Sequence, residues 1–130
     1  MRLINKVKER LRTYNAVSPS KPPRICIELT NRCNLNCPFC LVGQQGDKES
    51  VAHHELTRDS GGMDMELCRK IIGDAADFGM REVLLTFQGE PLVFKRKRFI
   101  ELVQLATQRG LKTIIFTNGQ LLDPAYSREI

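Results

Sequence analysis

The residues of this chain best suited to chemistry are three closely spaced cysteines. Cys33, Cys37 and Cys40 lie in the run C-N-L-N-C-P-F-C, directly after a β-rich apolar segment. The chain has five cysteines in all, so three of them in one short run indicate a shared task rather than packing. The C-x3-C-x2-C spacing suits three thiolates that each bind one iron of a 4Fe–4S cube. Such a set leaves the fourth iron open to a small molecule.

Other uses of these thiols are open at this point. A structural zinc site needs a fourth ligand, which Cys26, Cys68 or the pair His53–His54 could supply. Disulfide bonds would leave one of the three cysteines unpaired and would require an oxidising compartment. We interpret Cys26 as a strand residue, Cys68 as part of an apolar helix stripe and the histidines as part of a long polar loop over residues 44–62. The rival to a cluster protein is therefore a small zinc-stabilised binding module.

Length and composition bound the class of protein. The chain has 130 residues, 42% of them hydrophobic, and a net charge of +5. This supports one domain at most, with a charge too weak to argue for nucleic-acid binding. No stretch approaches the ~20 apolar residues of a membrane helix, and residues 1–20 lack the apolar core of a secretion signal. We expect a cytoplasmic protein with reduced thiols, no membrane span and no nucleic-acid partner.

Apolar periodicity predicts the elements that position the cysteines. Residues 1–20 have the spacing of a basic amphipathic helix followed by a breaker, and residues 21–130 form the main domain. In that domain the predicted strands cover residues 25–30, 82–88 and 112–117. Helices are predicted to begin after Asp64, near Phe99 and after Asp123. The order β-α-β-α-β-α predicts parallel strands and the α/β class.

Chemistry-bearing loops follow each predicted strand. The first is the cysteine loop, the second is Gly89-Glu90-Pro91 and the third is Thr117-Asn118-Gly119. Because the carboxyl ends of parallel strands meet at one edge of a sheet, we expect these loops to form one site. A glycine there lets the backbone approach a ligand, and the Glu90 carboxylate can accept hydrogen bonds from an ammonium group.

Two further features have a structural and a functional interpretation. Glu28 and Thr30 alternate with apolar residues, so they either form the polar face of a half-buried strand or line a barrel interior where a substrate could meet them. The basic run 95–98 is interpreted as a solvated helix entrance, although it could also attract phosphate or an acidic peptide.

These motifs resemble those of the radical S-adenosylmethionine (radical SAM) superfamily. The cysteine run resembles its CxxxCxΦC signature, with Phe39 in the aromatic position. Gln88-Gly89-Glu90-Pro91 resembles its GGE motif, with Gln88 in place of the first glycine, and the Thr117-Asn118-Gly119 strand end also recurs there. Gly62-Met63-Asp64 and G-E-P-L look most like the subgroup with C-terminal SPASM or twitch domains. The resemblance covers about residues 22–130.

The resemblance implies cofactors and site residues. Cys33, Cys37 and Cys40 would hold three irons of a 4Fe–4S cluster, and the fourth iron would chelate the methionine moiety of S-adenosylmethionine. Glu90 and the backbone around Gly89 would bind its amino group, and the backbone of Phe39 would lie against the adenine. The residues expected to bind this cofactor are Phe39, Gln88, Gly89, Glu90 and Asn118.

The resemblance also implies an activity. An electron from an external donor, such as a flavodoxin or a ferredoxin, would reach the cluster and cleave S-adenosylmethionine. The products would be methionine and a 5′-deoxyadenosyl radical that abstracts hydrogen from a substrate, which could be a peptide or a small molecule. The family's fold is a partial (β/α)6 TIM-type barrel, which needs about 190 residues on the scale of ~250 for eight units. We therefore expect this chain to be the N-terminal half of the core domain, its first three βα units, and inactive alone.

Overall fold

The computed structural model describes residues 22–42 and 59–130. Within these ranges, three strands form one parallel sheet in the order β1-β2-β3. The strands are β1 (Arg24–Cys26), β2 (Glu82–Leu84) and β3 (Lys112–Ile114). The first residues of the three strands lie level with one another in the ladder. The α/β class and the parallel direction predicted from the sequence are confirmed, and the loops after the strands leave the same edge of the sheet.

Two sequence predictions fall outside the described residues. The basic amphipathic helix was expected within residues 1–20, and the His53–His54 pair belongs to the loop expected over residues 44–62. Only the last part of that loop is described, where Thr30 and Gly62 form an isolated antiparallel bridge.

The strands are shorter than their apolar alternation predicts. β1 ends at Cys26 and β2 at Leu84, although the alternation continues for several residues in both. Beyond the ladder, a side chain replaces backbone pairing between the second and third strands. The Thr86 hydroxyl donates to the carbonyl of Phe116 at 3.1 Å and accepts from its amide at 3.2 Å. The sequence-based bounds were wrong here because periodicity reports which face is buried and does not report backbone pairing.

Helices alternate with the strands as predicted. They are α1 (Met65–Phe78), α2 (Arg96–Gln108) and α3 (Pro124–Glu129), with a short 3-10 helix at Pro91–Val93. Asp64 caps α1 by accepting a hydrogen bond from the amide of Leu67, and Asp123 caps α3 by accepting one from the amide of Tyr126. None of the helices in the described part of the chain is long and apolar enough to cross a membrane.

The core lies between one face of the sheet and the helices α1 and α2, which pack against each other. β2 contributes Val83, and the segments that continue β1 and β2 beyond the ladder contribute Ile27, Leu29 and Leu85, all of them buried. The helices contribute the apolar stripes expected from their 3.6-residue spacing, and the most buried members are Cys68, Ile72, Phe99, Leu102 and Ala106. Cys26 and Phe116 are exposed. This packing places the core directly beneath the sheet that carries the three loops.

One residue of the basic run at the start of α2, Arg96, forms tertiary contacts that the interpretation as a solvated helix entrance did not predict. The Arg96 guanidinium pairs with Glu129 at 2.6 Å and with Asp123 at 3.1 Å. It also lies 4.5 Å from the centre of the Tyr126 ring. Arg96 therefore fastens α3 to the beginning of α2 through charge and cation–π contacts. The interpretation was wrong for Arg96 because its partners lie about 30 residues further along the chain.

Candidate metal and cofactor site

The loop that follows the first strand carries the cysteine motif. Cys33, Cys37 and Cys40 are all half-buried. The amide of Cys40 donates to the carbonyl of Cys37 at 3.1 Å, and the amide of Leu35 donates to Cys33 Sγ at 3.4 Å. The five cysteines of the chain all lie in the described ranges and are free thiols. Three thiols are thus available as ligands on one short loop.

The donor set suits an iron–sulfur cube. Among residues 22–42 and 59–130, no group of three or more His, Cys, Asp or Glu side chains converges on a position for one metal ion. Zinc ligands must converge in this way because they share one tetrahedral centre. The thiolates of a 4Fe–4S cluster each bind a different iron, so they lie further apart. Three thiols on one loop, without a fourth, suit a cluster with one open iron.

The other two cysteines are placed less favourably for metal binding, because the thiolate is the form that binds a metal and the pKa of both thiols is raised. Cys26 Sγ donates a hydrogen bond to the carbonyl of Thr86 at 3.1 Å. Partial burial, with a smaller contribution from Glu28, raises the pKa of the Cys26 thiol. Cys68 is fully buried on α1, and burial, with Asp64 contributing, raises the pKa of its thiol as well.

The loop after β2 lies against the base of the cysteine loop. The amide of Glu90 donates to the carbonyl of Arg32 at 2.8 Å. Gly89 has a φ of +74°, in the left-handed region that favours glycine. The sequence-based expectation that the loops after the first two strands meet is therefore correct at the level of the backbone.

The Glu90 carboxylate joins the loop after β2 to the loop after β3. Its side chain is buried, and its Oε1 accepts hydrogen bonds from the amide of Leu92 at 3.0 Å and the hydroxyl of Thr117 at 2.7 Å. Its Oε2 accepts from the amide of Asn118 at 2.7 Å. Sequence reasoning treated Glu90 only as a ligand-facing residue. Its position directly before Pro91, at the start of a helical turn, was a signal that it also caps that turn.

Asn118 is in turn bonded to the cysteine loop. Its Nδ2 donates to Asn34 Oδ1 at 2.9 Å, and its Oδ1 accepts from the amide of Gln120 at 3.0 Å. Asn34 Nδ2 completes the group by donating to Gln120 Oε1 at 3.3 Å. Sequence reasoning missed Asn34 and Gln120, since nothing local distinguishes them from ordinary loop residues.

The remaining candidates differ in exposure. Phe39 is 89% exposed, so this residue is accessible to a ligand, and Gln88 is half-buried. Thr30 is buried, and its hydroxyl donates to the carbonyl of Gly61 at 2.6 Å, which is a structural use. Glu28 is half-buried and lines a small hollow beside Thr30. Thr30 thus anchors the segment that precedes α1, and both residues line this hollow, so the alternative that they face a substrate stays a prediction.

Comparison with known proteins identifies relatives of this chain. The model of the Radical SAM superfamily matches residues 27–130. Fe-coproporphyrin III synthase of Methanosarcina barkeri is 32% identical over 113 residues, which are 87% of this chain and 25% of that protein. The AdoMet-dependent heme synthase of the same organism is 35% identical over 103 residues, 79% of this chain and 26% of that one. PqqA peptide cyclase of Gluconobacter oxydans is 32% identical over 105 residues, 81% of this chain and 26% of the cyclase.

Solved structures share the fold. Streptococcus suis SuiB bound to S-adenosylmethionine has a TM-score of 0.64 and 22% identity, covering 98% of this chain and 26% of that one. BtrN in complex with AdoMet and 2-DOIA has a TM-score of 0.61 and 24% identity, covering 82% of this chain and 40% of that one. These likenesses confirm the (β/α)-barrel type of fold, of which three parallel strands with their helices are a part.

The chain spans about a quarter of the length of the curated relatives it matches. The matched residues nevertheless include all three loops at the carboxyl edge of the sheet. The superfamily uses a 4Fe–4S cluster and S-adenosylmethionine. Three thiols on one loop suit such a cluster, and the adjacent polar edge suits the second cofactor. Family model, relatives and fold agree, and this chain belongs to the Radical SAM superfamily.

Proposed function

We propose that Cys33, Cys37 and Cys40 hold three irons of a 4Fe–4S cluster and that the open iron receives S-adenosylmethionine. The observation that carries this proposal is the contact among the three loops. Arg32 at the base of the cysteine loop accepts a hydrogen bond from the Glu90 amide, and the Glu90 carboxylate accepts one from the Asn118 amide. A ligand at the cluster would therefore lie beside the polar groups of both neighbouring loops.

The residues proposed to hold S-adenosylmethionine fall on all three loops. Gln88, Gly89 and Glu90 receive the amino group of the methionine moiety, Phe39 lies against the adenine through its backbone, and Asn118 borders the cofactor on the side of β3. Both oxygens of the Glu90 carboxylate already accept hydrogen bonds from the protein. Glu90 thus contributes by its charge and by holding the neighbouring backbone in place.

The bound cofactors supply radical hydrogen abstraction, for which the electron comes from an external donor such as a flavodoxin or a ferredoxin. The residues of this chain bind and orient the cofactors and exclude water from one side of them. We propose a peptide or a small molecule as substrate, a cytoplasmic location and a SPASM or twitch domain in the full polypeptide. The similarity to a PqqA peptide cyclase supports a peptide as one of these two substrate classes, since that relative is named for one.

Anaerobic reconstitution of the full polypeptide that carries this chain tests the proposal. We expect a brown protein that binds about four irons at this site. This number is the difference in iron content between the wild type and the variant Cys37→Ala. Adding S-adenosylmethionine to the reduced protein should change the electron paramagnetic resonance spectrum of that cluster. A colourless protein with one tightly held zinc, lost in the same variant, would show that the site is the zinc module instead.

A further inference from the structure

Hydrogen bonds hold the cysteine loop both from within and at its base. Within the loop, the Cys40 amide donates to the Cys37 carbonyl at 3.1 Å and the Leu35 amide donates to Cys33 Sγ at 3.4 Å. At its base, the Arg32 amide donates to Thr30 Oγ1 at 3.1 Å. Contacts with neighbouring loops further restrain the position of its thiols.

One such contact is a closed hydrogen-bonded group formed by Asn34, Asn118 and Gln120. Asn118 Nδ2 donates to Asn34 Oδ1 at 2.9 Å, Asn34 Nδ2 donates to Gln120 Oε1 at 3.3 Å, and the backbone amide of Gln120 donates to Asn118 Oδ1 at 3.0 Å. Asn34 is 84 residues from Asn118 in sequence and directly follows Cys33. The group therefore joins the cluster loop to the loop after β3 at the position next to a cluster ligand.

The far side of this group is anchored in the core. The Asn118 backbone amide donates to Glu90 Oε2 at 2.7 Å, and the Thr117 hydroxyl donates to Glu90 Oε1 at 2.7 Å. Glu90 is only 2% exposed, so its carboxylate is a fixed point. Hydrogen bonds to a charged group are stronger than neutral ones, which makes the backbone position of Asn118 well defined.

We propose that Asn34 is a positioning residue that sets the separation between the cysteine loop and the loop after β3. Asn34 is not a cluster ligand. It acts through Asn118, whose backbone is held by Glu90, so the cluster and the cofactor-binding edge keep a constant geometry. This inference rests on the proposed function, because the separation matters only if the two loops hold the cluster and S-adenosylmethionine.

The chain provides a matched control in Asn36. It has the same side chain, lies in the same loop and is exposed, and it makes no side-chain hydrogen bond with any residue in the described part of the chain. Asn34→Ala and Asn36→Ala therefore remove the same atoms from one loop, but only the first breaks the contact with Asn118.

Hydrogen–deuterium exchange on the metal-free polypeptide tests the contact itself. In Asn34→Ala we expect severalfold faster exchange in the peptide that covers residues 117–121, because the Asn118 side chain that accepts from the Gln120 amide loses its partner. Asn36→Ala should leave that peptide unchanged. Equal exchange in the two variants, both at the wild-type rate, would overturn the inference.

Reconstituted protein tests the consequence for the cofactor. Asn34→Ala should retain wild-type iron content, since no thiolate is removed, and should bind S-adenosylmethionine about fivefold more weakly, the effect of one neutral hydrogen bond. The double variant with Asn118→Ala should lose no more affinity than Asn118→Ala alone, because Asn34 acts through that residue. Multiplied losses in the double variant, or unchanged affinity in Asn34→Ala, would contradict the inference.

The two proposals fail in different ways. If neither the wild type nor any variant assembles a 4Fe–4S cluster, the proposed function is wrong. The exchange measurement on metal-free protein still decides in that case whether Asn34 holds the two loops together. If cluster and cofactor bind normally in Asn34→Ala and exchange is unchanged, only the positioning role is wrong.

Discussion

A β-carbon on Gly89 would lie 2.6 Å from the carbonyl oxygen of Arg32. It would lie equally close to the carbonyl of Thr30, and the φ of Gly89 is +74°. Both oxygens belong to the backbone that leads from β1 into the cysteine loop, so they cannot move aside as a flexible side chain could. The loop after β2 therefore contacts the base of the cysteine loop at a point where no side chain fits.

The variant Gly89→Ala should consequently lose more stability than the strain of a left-handed backbone alone would cost. Gly110 is the matched control, with a φ of +76° and no atom within 4 Å of an added β-carbon. Gly110→Ala should cost about 1–2 kcal/mol, the price of left-handed backbone. Gly89→Ala should cost clearly more and should also lower the iron retained on reconstitution. Urea unfolding and iron analysis measure both effects, and equal costs at the two positions would contradict the prediction.

Each cysteine of the motif should be indispensable for the cluster. Alanine at Cys33, Cys37 or Cys40 removes the only protein ligand of one iron, so cluster assembly should be lost. Cys26→Ala should keep near-normal iron content, because Cys26 lies outside the cysteine loop and its thiol donates a hydrogen bond to the carbonyl of Thr86. Iron content and visible absorption after anaerobic reconstitution provide the measurement. If Cys26→Ala loses the cluster as completely as Cys37→Ala does, the model with three ligands and an open iron is wrong.

Replacing Glu90 should affect both cofactor binding and folding. We expect Glu90→Ala to weaken S-adenosylmethionine binding roughly ten- to a hundredfold, because the variant loses both the charge beside the cofactor and the hydrogen bonds that hold the neighbouring backbone in place. Stability should fall by several kcal/mol, on the order of the cost of breaking a buried hydrogen-bond network, because three donors lose their acceptor.

Calorimetric titration and urea unfolding separate the two effects of Glu90→Ala. Glu101→Ala is the control, since Glu101 forms an exposed ion pair with Arg69 on the helices, for which a cost of at most about 1 kcal/mol is usual. Unchanged cofactor affinity would remove Glu90 from the binding site. Unchanged stability would show that its three hydrogen bonds do not support the fold.

Tyr126 should tolerate the loss of its hydroxyl but not of its ring. Among the described residues, Tyr126 Oη has no hydrogen-bond partner, and burial raises the pKa of this phenol to about 12. Tyr126→Phe removes an unsatisfied polar atom, so stability should stay the same or rise. Tyr126→Ala should cost about 3–5 kcal/mol, because the ring packs edge-on against Phe99. Urea unfolding at neutral pH measures both, and a loss above about 1 kcal/mol in Tyr126→Phe would contradict the prediction.

Asp123 should make stability depend on pH in the acid range. The hydrogen bond from the Tyr126 amide, with a contribution from Arg96, lowers the pKa of the Asp123 carboxyl. A carboxyl whose pKa is lower in the folded state stabilises the fold above its unfolded pKa of ~3.9, and this contribution is lost as the pH falls through the folded pKa. Asp123→Asn keeps a capping oxygen but does not titrate. The stability advantage of the wild type over this variant should therefore shrink below about pH 4. An advantage that is constant from neutral pH to strong acid would contradict this assignment.

The sequence by itself determined what depends on local order. The cysteine spacing, the alternation of strands and helices, the caps at Asp64 and Asp123 and the apolar helix stripes could all be predicted, because each depends on residues a few positions apart. The meeting of three loops at one edge could also be predicted, because parallel strands place their carboxyl ends together.

Only the tertiary structure decided which atoms meet at that edge. Three sets of contacts there join residues that lie between 27 and 84 positions apart in sequence. They are the hydrogen bonds that the backbone and side-chain amides of Asn118 donate, the carbonyls that exclude a side chain at Gly89, and the acidic partners of Arg96. Such pairs depend on strand register, on where backbone pairing ends and on how the helices pack. Local periodicity carries no information on these, since many loop conformations satisfy the same apolar pattern and only the packed core selects one.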